Sequence, residues 1–482
     1  MRIPARGIEK SELFSRLEAA RQHDWPWREG KLFAYVFEDG PEIEEVGKKA
    51  YMAYLTENGL DPTTFPSLLQ FENDIVDMAR RHLGGDDRVV GNFTSGGTES
   101  IILAVKTARD WFRAKHPGVR PEMLVPITAH AAFHKAAHYL DVDAIITDVD
   151  PTSFRADPAS MRAHLSDRTM LLVASACSYA HGVVDPVREI AQMAAEKGAL
   201  CHVDGCMGGF LLPYFRRLGA TITDFDFAVP GVTSMSMDLH KYGLCPKGAS
   251  VVLYRDESLR KHQIYTCSEW TGYTMINNTI QSSKSGGPLA AAWAVLQFVG
   301  EAGYQSIAER LLDAKRRLLA GIRAVPGLSV LGEPEMSLVG FTSEEVSVFA
   351  LADELKSRGW HVQAQLAHGP SRENLHMTIN PGNTRWIDDF VAELPRAVEA
   401  VRAAGGGPKP PKELAALLAA QIESDPTGEG LGNVVESVVG SGGGVPGKMA
   451  EVNALLNELP RKVQEKLLVA FVGKMFTPKA QG

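Results

Sequence analysis

Residues 232–242 read VTSMSMDLHKY and place Lys241 directly after His240, at the end of a run of small and hydroxyl-bearing side chains. A lysine amine in water has a pKa of about 10.4 and is a poor nucleophile. A lysine that forms a Schiff base therefore needs a site that favours its neutral or imine form. Most lysines are solvated surface residues. The assignment of Lys241 as a Schiff-base lysine thus depends on what the rest of the chain supplies.

Short apolar segments on both sides of this stretch predict strands that are buried on both faces. They occupy residues 123–127, 144–149, 170–174, 200–203 and 250–254. Between two of them, Asp185 and Pro186 predict the N-cap and first position of a helix that ends at Gly198. The order strand, helix, strand predicts an α/β fold with a mainly parallel sheet covered by helices.

The pattern changes after about residue 288, where LAAAWAVLQFV predicts a long helix. Strand-like pieces near SVFALADEL and NLHMTI then predict a smaller α+β C-terminal domain. A glycine- and proline-rich stretch at 405–411 predicts a linker before a tail with two more helical segments and a glycine-rich break at 441–444. We expect an N-terminal segment 1–55, a large domain 56–290, a small domain 291–404 and a helical extension 405–482.

The composition narrows the class of partner. With 50 basic and 58 acidic residues the net charge is −8, so the chain lacks the overall basic footprint that nucleic acid or an anionic membrane would require. The five cysteines form no CxxC pair and are typical of reduced cytosolic thiols. No secretory signal and no run of eighteen apolar residues occurs, so no membrane span is predicted. Small molecules are the expected partners.

The segment TSGGTES at 94–100 precedes IILAVKTARDWF, whose apolar spacing fits a helix. Glycines at a helix start let backbone N–H groups approach a phosphate, and the helix dipole and the hydroxyl of Thr98 add to the attraction. The alternative is an ordinary helix cap, for which the same residue types are required. Neither the Walker pattern nor the GxGxxG fingerprint is matched.

Two further segments carry chemistry. In CHVDGCMGGF, Asp204 ends an apolar strand, where α/β folds place groups that face a ligand, although a turn aspartate is the plain alternative. In ITAHAAFHKAAHYL, the histidines 130, 134 and 138 recur at every fourth position, so a metal site formed by His130, His134 and His138 has to be considered. There is no HExxH pattern, so we predict no metal and favour one histidine as an active-site aromatic.

Together these features meet the needs of pyridoxal 5'-phosphate. The cofactor requires a phosphate cradle, a lysine for the imine, a carboxylate on the pyridine nitrogen and a flat group against the ring. The carboxylate keeps the nitrogen protonated, so that the ring accepts electrons when a bond at the substrate α-carbon breaks. The protein selects the bond that breaks by orienting it, and it supplies acids and bases.

The segments TSGGTES, AHAAFHKAA, HGVVDP, HVDGCMGGF and GVTSMSMDLHKYGLCPKG, in this order and spacing, resemble the sphingosine-1-phosphate lyases and, more distantly, the group II amino acid decarboxylases. The resemblance is specific from about residue 30 to residue 290 and weak in the tail. It implies the aspartate aminotransferase-like fold (type I) of pyridoxal phosphate-dependent transferases, a homodimer with sites at the interface, and a carbon–carbon lyase reaction of sphingolipid metabolism. Without the membrane segment of the eukaryotic lyases, a cytoplasmic form is expected.

Carried over by position, the resemblance implies that Lys241 binds the cofactor covalently, Asp204 pairs with the pyridine nitrogen and His130 stacks on the ring. Gly97, Thr98 and His240 would hold the cofactor phosphate. Ser283 of the partner subunit would complete that phosphate site. Tyr179, in CSYAHG, falls where bacterial members keep a catalytic tyrosine and could exchange a proton with the substrate hydroxyl, although a packed aromatic is the plain alternative.

The substrate end departs from the family pattern. The lyases hold the substrate phosphate with an N-terminal tyrosine, the histidine of an Asn-Pro-Leu-His segment and a lysine six residues after the Schiff-base lysine. The counterparts here are Phe37, Asp61 in the segment NGLD that begins at Asn58, and Lys247, so only the lysine is retained.

The leading interpretation is retro-aldol cleavage of a 2-amino-3-hydroxy, lipid-like amine to an aldehyde and an amine. Amino acid decarboxylation is the alternative and transamination the third. A non-enzymatic role is disfavoured because Lys241, Asp204 and His130 are all present.

Overall fold

The computed structural model describes residues 3–409, 411–424 and 448–478. Within them, a seven-stranded sheet has the spatial order β1-β7-β6-β5-β4-β2-β3. Its strands are β1 Val90–Thr94, β2 Glu122–Pro126, β3 Asp143–Thr147, β4 Thr169–Ser175, β5 Leu200–Asp204, β6 Ser234–Asp238 and β7 Ser250–Tyr254. Only β7 runs antiparallel to its neighbours in this sheet, so the prediction of a mainly parallel sheet is confirmed.

Helices cover both faces of this sheet. The helices of the described residues, in this domain and outside it, are α1 Lys10–Ala20, α2 Pro41–Ala53, α3 Pro66–His82, α4 Gly97–Arg113, α5 Ala132–Leu140, α6 Pro158–Ala163, α7 Val187–Lys197, α8 Leu212–Arg217, α9 Glu257–Arg260, α10 Gly287–Arg323, α11 Val348–Ser357, α12 Ile387–Ala403, α13 Lys412–Glu423, α14 Ala450–Glu458 and α15 Arg461–Met475. In β2, Leu124 packs into the core that contains residues of α7, whereas Met123 and Val125 pack into the core that contains residues of α4 and α5. This alternation explains why the strand is apolar at successive positions.

The strand directions bring chemistry to one edge of the sheet. β4, β5 and β6 are parallel and end at Ser175, Asp204 and Asp238. The helix α4 begins at Gly97, three residues after the last residue of β1. Because carboxyl ends of parallel strands lie together, these residues share the edge where α/β folds bind ligands.

The predicted helix after residue 185 is present as α7, and Gly198 ends it in the left-handed conformation with φ 73°. The prediction that Asp185 caps this helix is wrong. Its carboxylate instead accepts hydrogen bonds from the backbone N–H of Ala156, at 2.8 Å, and of Ser175, at 2.7 Å. Burial raises the pKa of Asp185 to about 6. The residue therefore ties two segments of the sheet edge together.

A second sheet has the order β10-β11-β13-β12 and is antiparallel throughout. Its strands are β10 Leu328–Val330, β11 Leu338–Ser343, β12 Gln363–Gln365 and β13 Asn374–Thr378. The predicted strand at NLHMTI is β13. The prediction of a strand at SVFALADEL is wrong, because this segment forms α11, capped by the Ser347 hydroxyl and buried at Val348, Leu351 and Leu355, a helical spacing.

The long helix predicted after residue 288 is α10, which is kinked at Gly300. In the tail, the described residues form α13, α14 and α15, one helix more than the two segments predicted. These three helices share a small apolar core of their own. The predicted break at residues 441–444 lies outside the described residues.

In the chain segment that joins the large sheet to the second sheet, β8 Tyr265–Cys267 and β9 Met275–Asn277 form an antiparallel hairpin. Among residues 3–409, 411–424 and 448–478, no helix is long and apolar enough to cross a membrane. In the same described ranges, no group of three or more His, Cys, Asp or Glu side chains is arranged to hold a metal ion.

Candidate active site

A cavity of about 460 Å³ opens at the carboxyl edge of the large sheet. Most of the residues predicted from the sequence lie together in its wall. They are Phe37, Gly97, Thr98, His130, Tyr179, Asp204, His240, Lys241 and Lys247. The fold thus gathers side chains that are separated by up to 210 positions in the chain.

Lys241 follows the end of β6, and its amine pairs with a carboxylate of the same turn. The Nζ atom lies 2.9 Å from Oδ2 of Asp238, which is buried at 2% exposure. Burial alone would lower the pKa of Lys241, but the negative charge of Asp238 outweighs it and raises the pKa above the ordinary range. Burial likewise raises the pKa of Asp238, while the positive charge of Lys241 brings it below its usual value. The pair is therefore ionised before any ligand binds.

His240 turns toward the same carboxylate, with Nε2 at 3.6 Å from Asp238 Oδ2. Its Nδ1 accepts a hydrogen bond from the backbone N–H of Ala249, at 3.3 Å. Burial lowers the pKa of His240, and the charges of Lys247 and Lys241 lower it further, against the opposing effect of Asp238. A neutral imidazole can donate a hydrogen bond from Nε2 to a phosphate.

The first turn of α4 forms another part of the wall. A Cβ atom on Gly97 would lie 2.8 Å from both Asp238 Oδ1 and Cys206 Sγ, so only glycine fits this approach. The backbone N–H groups of a first helical turn lack intrahelical partners and attract anions. The Glu99 carboxylate accepts hydrogen bonds from the backbone N–H groups of Ser95, at 2.6 Å, and Ile280, at 2.8 Å.

Asp204 is the last residue of β5, and hydrogen bonds from neighbouring groups fix its carboxylate. Its Oδ1 accepts hydrogen bonds from the Cys206 N–H, at 3.0 Å, and from the Ser236 hydroxyl, at 3.2 Å. His202 lies beneath, hydrogen-bonded to the hydroxyls of Ser234 and Ser236. Burial lowers the pKa of His202 to about 4, so this histidine is neutral and orients the serines without competing for charge.

Tyr179 stands on the side of the cavity formed by the second sheet. Its hydroxyl donates a hydrogen bond to Gln363 Oε1 at 2.6 Å, and its ring lies 4.3 Å from that of His376. Burial raises the pKa of Tyr179, against smaller lowering effects of Thr378 and Lys241. The phenol is thus protonated and fixed in direction by β12 and β13.

Lys247 reaches the cavity mouth. Its amine donates to the His240 carbonyl at 3.2 Å and lies 5.1 Å from the Phe37 ring centre, within cation–π range. The residue keeps solvent contact, while burial of the amine among protein atoms lowers its pKa to about 8; the charge of Lys241 adds to this and that of Asp238 opposes it.

His130 also lines the cavity, just before α5. Its Nδ1 accepts a hydrogen bond from the Ala132 N–H at 3.1 Å, which fixes the imidazole at the start of the helix. The metal arrangement considered for His130, His134 and His138 is not formed, because α5 starts only at Ala132 and the histidines do not converge.

The remaining predicted residues lie outside the cavity wall of their own chain. Asp61 is exposed, and its Oδ1 accepts from the backbone N–H and the hydroxyl of Thr63, at 2.8 and 2.6 Å. Asn58 Oδ1 accepts from the N–H groups of Leu60 and Lys284, so it braces the loop that carries Ser283. Ser283 itself is exposed on that loop.

The wall residues that sequence reasoning missed include Asp238 and Tyr35. Asp238 is the last residue of β6 and lies three positions before Lys241. An acidic residue this close to the lysine was the feature of the sequence that could have identified it. Tyr35 lies two positions before Phe37 and also lines the cavity, with φ 63°. The sequence shows a tyrosine two positions before Phe37, but it does not show that Tyr35 adopts a left-handed backbone conformation.

The residues present fit pyridoxal 5'-phosphate. The first turn of α4, at Gly97 and Thr98, lines the cavity together with His240, so backbone N–H groups, a hydroxyl and an imidazole can donate to a phosphate there. Asp204 offers a carboxylate to the pyridine nitrogen, and Lys241 offers the amine.

Comparisons with known proteins agree with this chemistry. The pyridoxal-dependent decarboxylase conserved domain matches residues 27–344. A second model, for an HTH domain at the C-terminus of pyridoxal-dependent enzymes, matches residues 411–474. The sphingosine-1-phosphate lyase of Arabidopsis thaliana is 39% identical over 413 residues, which cover 84% of this chain and 74% of that protein.

Solved structures extend the likeness. A sphingosine-1-phosphate lyase from Burkholderia pseudomallei superposes with a TM-score of 0.80 at 33% identity, covering 88% of this chain and 97% of that one. A glutamate decarboxylase from Lactobacillus brevis gives 0.73 at 20% identity, covering 83% and 94%, a likeness that shows the fold alone.

Proposed function

Because the chain belongs to the sphingosine-1-phosphate lyase family and is a pyridoxal phosphate-dependent lyase, we propose that it cleaves a phosphorylated, long-chain 2-amino-3-hydroxy base between its α and β carbons. The products are an aldehyde and a phosphorylated amine. The observation that carries the proposal is that the Lys241 amine, the Tyr179 phenol and the Lys247 amine line one cavity. They can serve the cofactor, the substrate hydroxyl and the substrate phosphate.

At the cofactor end, we assign Lys241 to covalent attachment and Asp204 to the pyridine nitrogen. When bound, pyridoxal phosphate supplies an electron sink for the bond that breaks at the substrate α-carbon. His240, Thr98 and the backbone at Gly97 would hold its phosphate group, and His130 would lie against its ring. Asp238 is the positioning residue of this set, since it fixes the lysine amine at 2.9 Å.

At the substrate hydroxyl, Tyr179 is the residue that exchanges a proton. Its phenol is protonated and its O–H points at Gln363, so the phenol oxygen can accept a hydrogen bond from a substrate hydroxyl placed between itself and Lys241. Tyr179 can take the proton of that hydroxyl only as the phenolate, which it forms by giving up its own proton first, and the Gln363 amide cannot receive that proton.

At the substrate phosphate, Lys247 supplies the charge and Tyr35 a hydroxyl at the same mouth. Phe37 carries no donor; it packs edge-on against Tyr242 at 4.9 Å and supports the Lys247 amine. Asp61 faces solvent in a turn of its own chain, so in this proposal its carboxylate does not repel the phosphate within one protomer.

The proposal includes a homodimer. The segment around β8 and β9 exposes more than half of each of five large apolar side chains: Tyr265, Trp270, Tyr273, Ile276 and Ile280. Exposed apolar patches of this kind mark protein–protein contacts. Ser283 follows on the same segment, so a second copy packed here would bring Ser283 of the partner subunit toward the cofactor phosphate. We keep in this proposal the cytoplasmic location and the division into 1–55, 56–290, 291–404 and 405–482.

The decisive assay offers the purified, cofactor-loaded protein a phosphorylated long-chain base and, separately, a panel of amino acids. Formation of aldehyde with the base and no carbon dioxide from the amino acids is the expected result. Release of carbon dioxide would establish the alternative, an amino acid decarboxylase, and amino transfer to a keto acid would establish the third, an aminotransferase. Lys241→Ala serves as the inactive control in each case.

A further inference from the structure

The last helix of the described tail, α15, is apolar on two opposite faces. Val463 and Leu467 are buried in the tail's own core. On the other side, Leu468, Val469 and Val472 are exposed, Val469 at 74%. Met475 and Phe476 continue this exposed face at the helix end. At 3.6 residues per turn these five side chains share an arc of about 120°, so they form one stripe, which we call the α15 stripe.

An exposed apolar face on a helix whose other apolar face is already buried in its own core marks a contact with a further partner. Most of the charged side chains of α15 are basic: Arg461, Lys462, Lys466 and Lys474, against Glu465 alone, which lies on the arc of the stripe one turn before Val469. This local excess of positive charge stands in a chain of net charge −8. The covering partner is therefore expected to be both apolar and anionic.

We propose that the α15 stripe binds the surface of an anionic lipid bilayer. Helices that lie in a membrane interface combine an exposed apolar face with flanking lysine and arginine side chains, which attract anionic headgroups. The proposal rests on the proposed function in one respect: a long-chain amine phosphate partitions into bilayers, so a surface-bound enzyme meets its substrate there.

Hydrogen bonds attach the tail to α11 and to the loop after β12, so a membrane bound at α15 would also hold the second sheet in place. The carboxylate of Asp353 on α11 accepts hydrogen bonds from the N–H groups of Met449, at 2.9 and 3.0 Å, and Ala450, at 2.8 Å. Asn457 Oδ1 accepts from the N–H of Ala367, at 2.8 Å, in the loop after β12. A bilayer bound at α15 thus holds the second sheet, which carries Gln363, near the surface.

Two other occupants fit less well. A second copy that placed α15 against α15 would bring two like-charged helices together, which costs free energy. Nucleic acid, which an HTH domain suggests, is read by polar and charged side chains on the helix that enters the groove. The exposed face of α15 offers Leu468, Val469 and Val472 at that position.

The test uses the full-length, cofactor-loaded protein and flotation with vesicles of phosphatidylcholine alone or with one quarter phosphatidylglycerol. Val469→Glu adds a negative charge to the centre of the α15 stripe. Val119→Glu makes the same change at an exposed site in the loop before β2 and is the matched control. We expect binding to the anionic vesicles only, reduced at least about tenfold by Val469→Glu, unchanged by Val119→Glu and weakened in 1 M salt.

The proposal is overturned if the unmodified protein fails to float with anionic vesicles. It is overturned equally if Val469→Glu leaves flotation intact, or instead lowers the oligomer mass or abolishes binding to duplex DNA. Turnover of a short-chain, water-soluble phosphorylated base is measured in parallel and should be equal in all three proteins. Vesicle binding without any such turnover would reject the proposed function but would still support binding of the α15 stripe to a lipid surface.

Discussion

The Nζ atom of Lys241 lies 2.9 Å from the Oδ2 atom of Asp238, three residues earlier in the chain. Asp238 is buried and Lys241 is half-buried in the cavity wall, and the negative charge of Asp238 raises the pKa of the amine, so the contact favours its charged form. A Schiff-base lysine is commonly expected to sit in a site that favours the neutral amine. Here the ionised pair instead holds the amine in place, and deprotonation belongs to the attachment step.

Replacement of Asp238 should change how cofactor attachment depends on pH. Asp238→Asn removes the negative charge that raises the pKa of Lys241, so burial then lowers that pKa and the neutral amine is present at lower pH. We expect the rate of visible-band formation, measured by stopped flow with added pyridoxal phosphate, to rise at lower pH in the variant than in the unmodified protein. Asp167→Asn, at a fully exposed site, should leave the profile unchanged. An unchanged profile in Asp238→Asn would contradict the assigned role.

Loss of the Tyr179 hydroxyl should reduce turnover more than binding. In Tyr179→Phe the ring still packs against His376, but the group that faces the substrate hydroxyl is gone. We expect kcat to fall by about 10²–10⁴ with KM changed little, as for a general acid or base. Tyr139→Phe on the exposed side of α5 is the matched control. A kcat within about twofold of the unmodified protein would show that Tyr179 is only a packed aromatic.

The pKa of Lys247, lowered to about 8, predicts a pH effect on substrate capture. Its ammonium is present below that pH and is lost above it, so kcat/KM for a phosphorylated substrate should decline as the pH rises through 8. Lys247→Gln should lower kcat/KM about tenfold to hundredfold at neutral pH and remove the decline. Lys247→Arg keeps a cation at all these pH values and should also remove the decline, with a smaller loss. A decline of equal size with an unphosphorylated analogue would exclude Lys247 as its cause.

The exposed apolar segment around β8 and β9 should control assembly. Ile276→Glu places a charge in a surface that we propose to be buried between two copies, so it should shift the sedimentation coefficient toward a monomer and weaken cofactor retention. Ile146→Glu makes the same change on β3, at the far edge of the large sheet, and should do neither. A stable dimer in Ile276→Glu would place the interface elsewhere.

Much of the large domain could be predicted because its strands are buried on both faces and therefore appear as continuous apolar runs. The place of Asp204 at the edge of the sheet followed from its position after such a run, whereas the assignment of Lys241 depended on the family resemblance. The wrong predictions concern residues whose structure is determined by tertiary contacts. Asp185 bonds to segments far from its helix, and the second sheet uses residues 338–343 rather than the apolar run at 347–355.

Substrate contacts were the hardest to predict, for the same reason. The placement of Tyr35 beside Phe37 depends on a left-handed backbone, and the exposure of Asp61 depends on the turn that it forms with Thr63. Neither property is encoded by residue type alone.

The central claim is that Lys241 binds pyridoxal phosphate covalently, and borohydride reduction followed by peptide mass mapping tests it most directly. The account predicts that reduction removes the visible band and leaves a pyridoxyl group on the peptide that contains Lys241, and that Lys241→Ala shows neither the band nor the label. A pyridoxyl group on another lysine, or a Lys241→Ala variant that keeps the band, would contradict it.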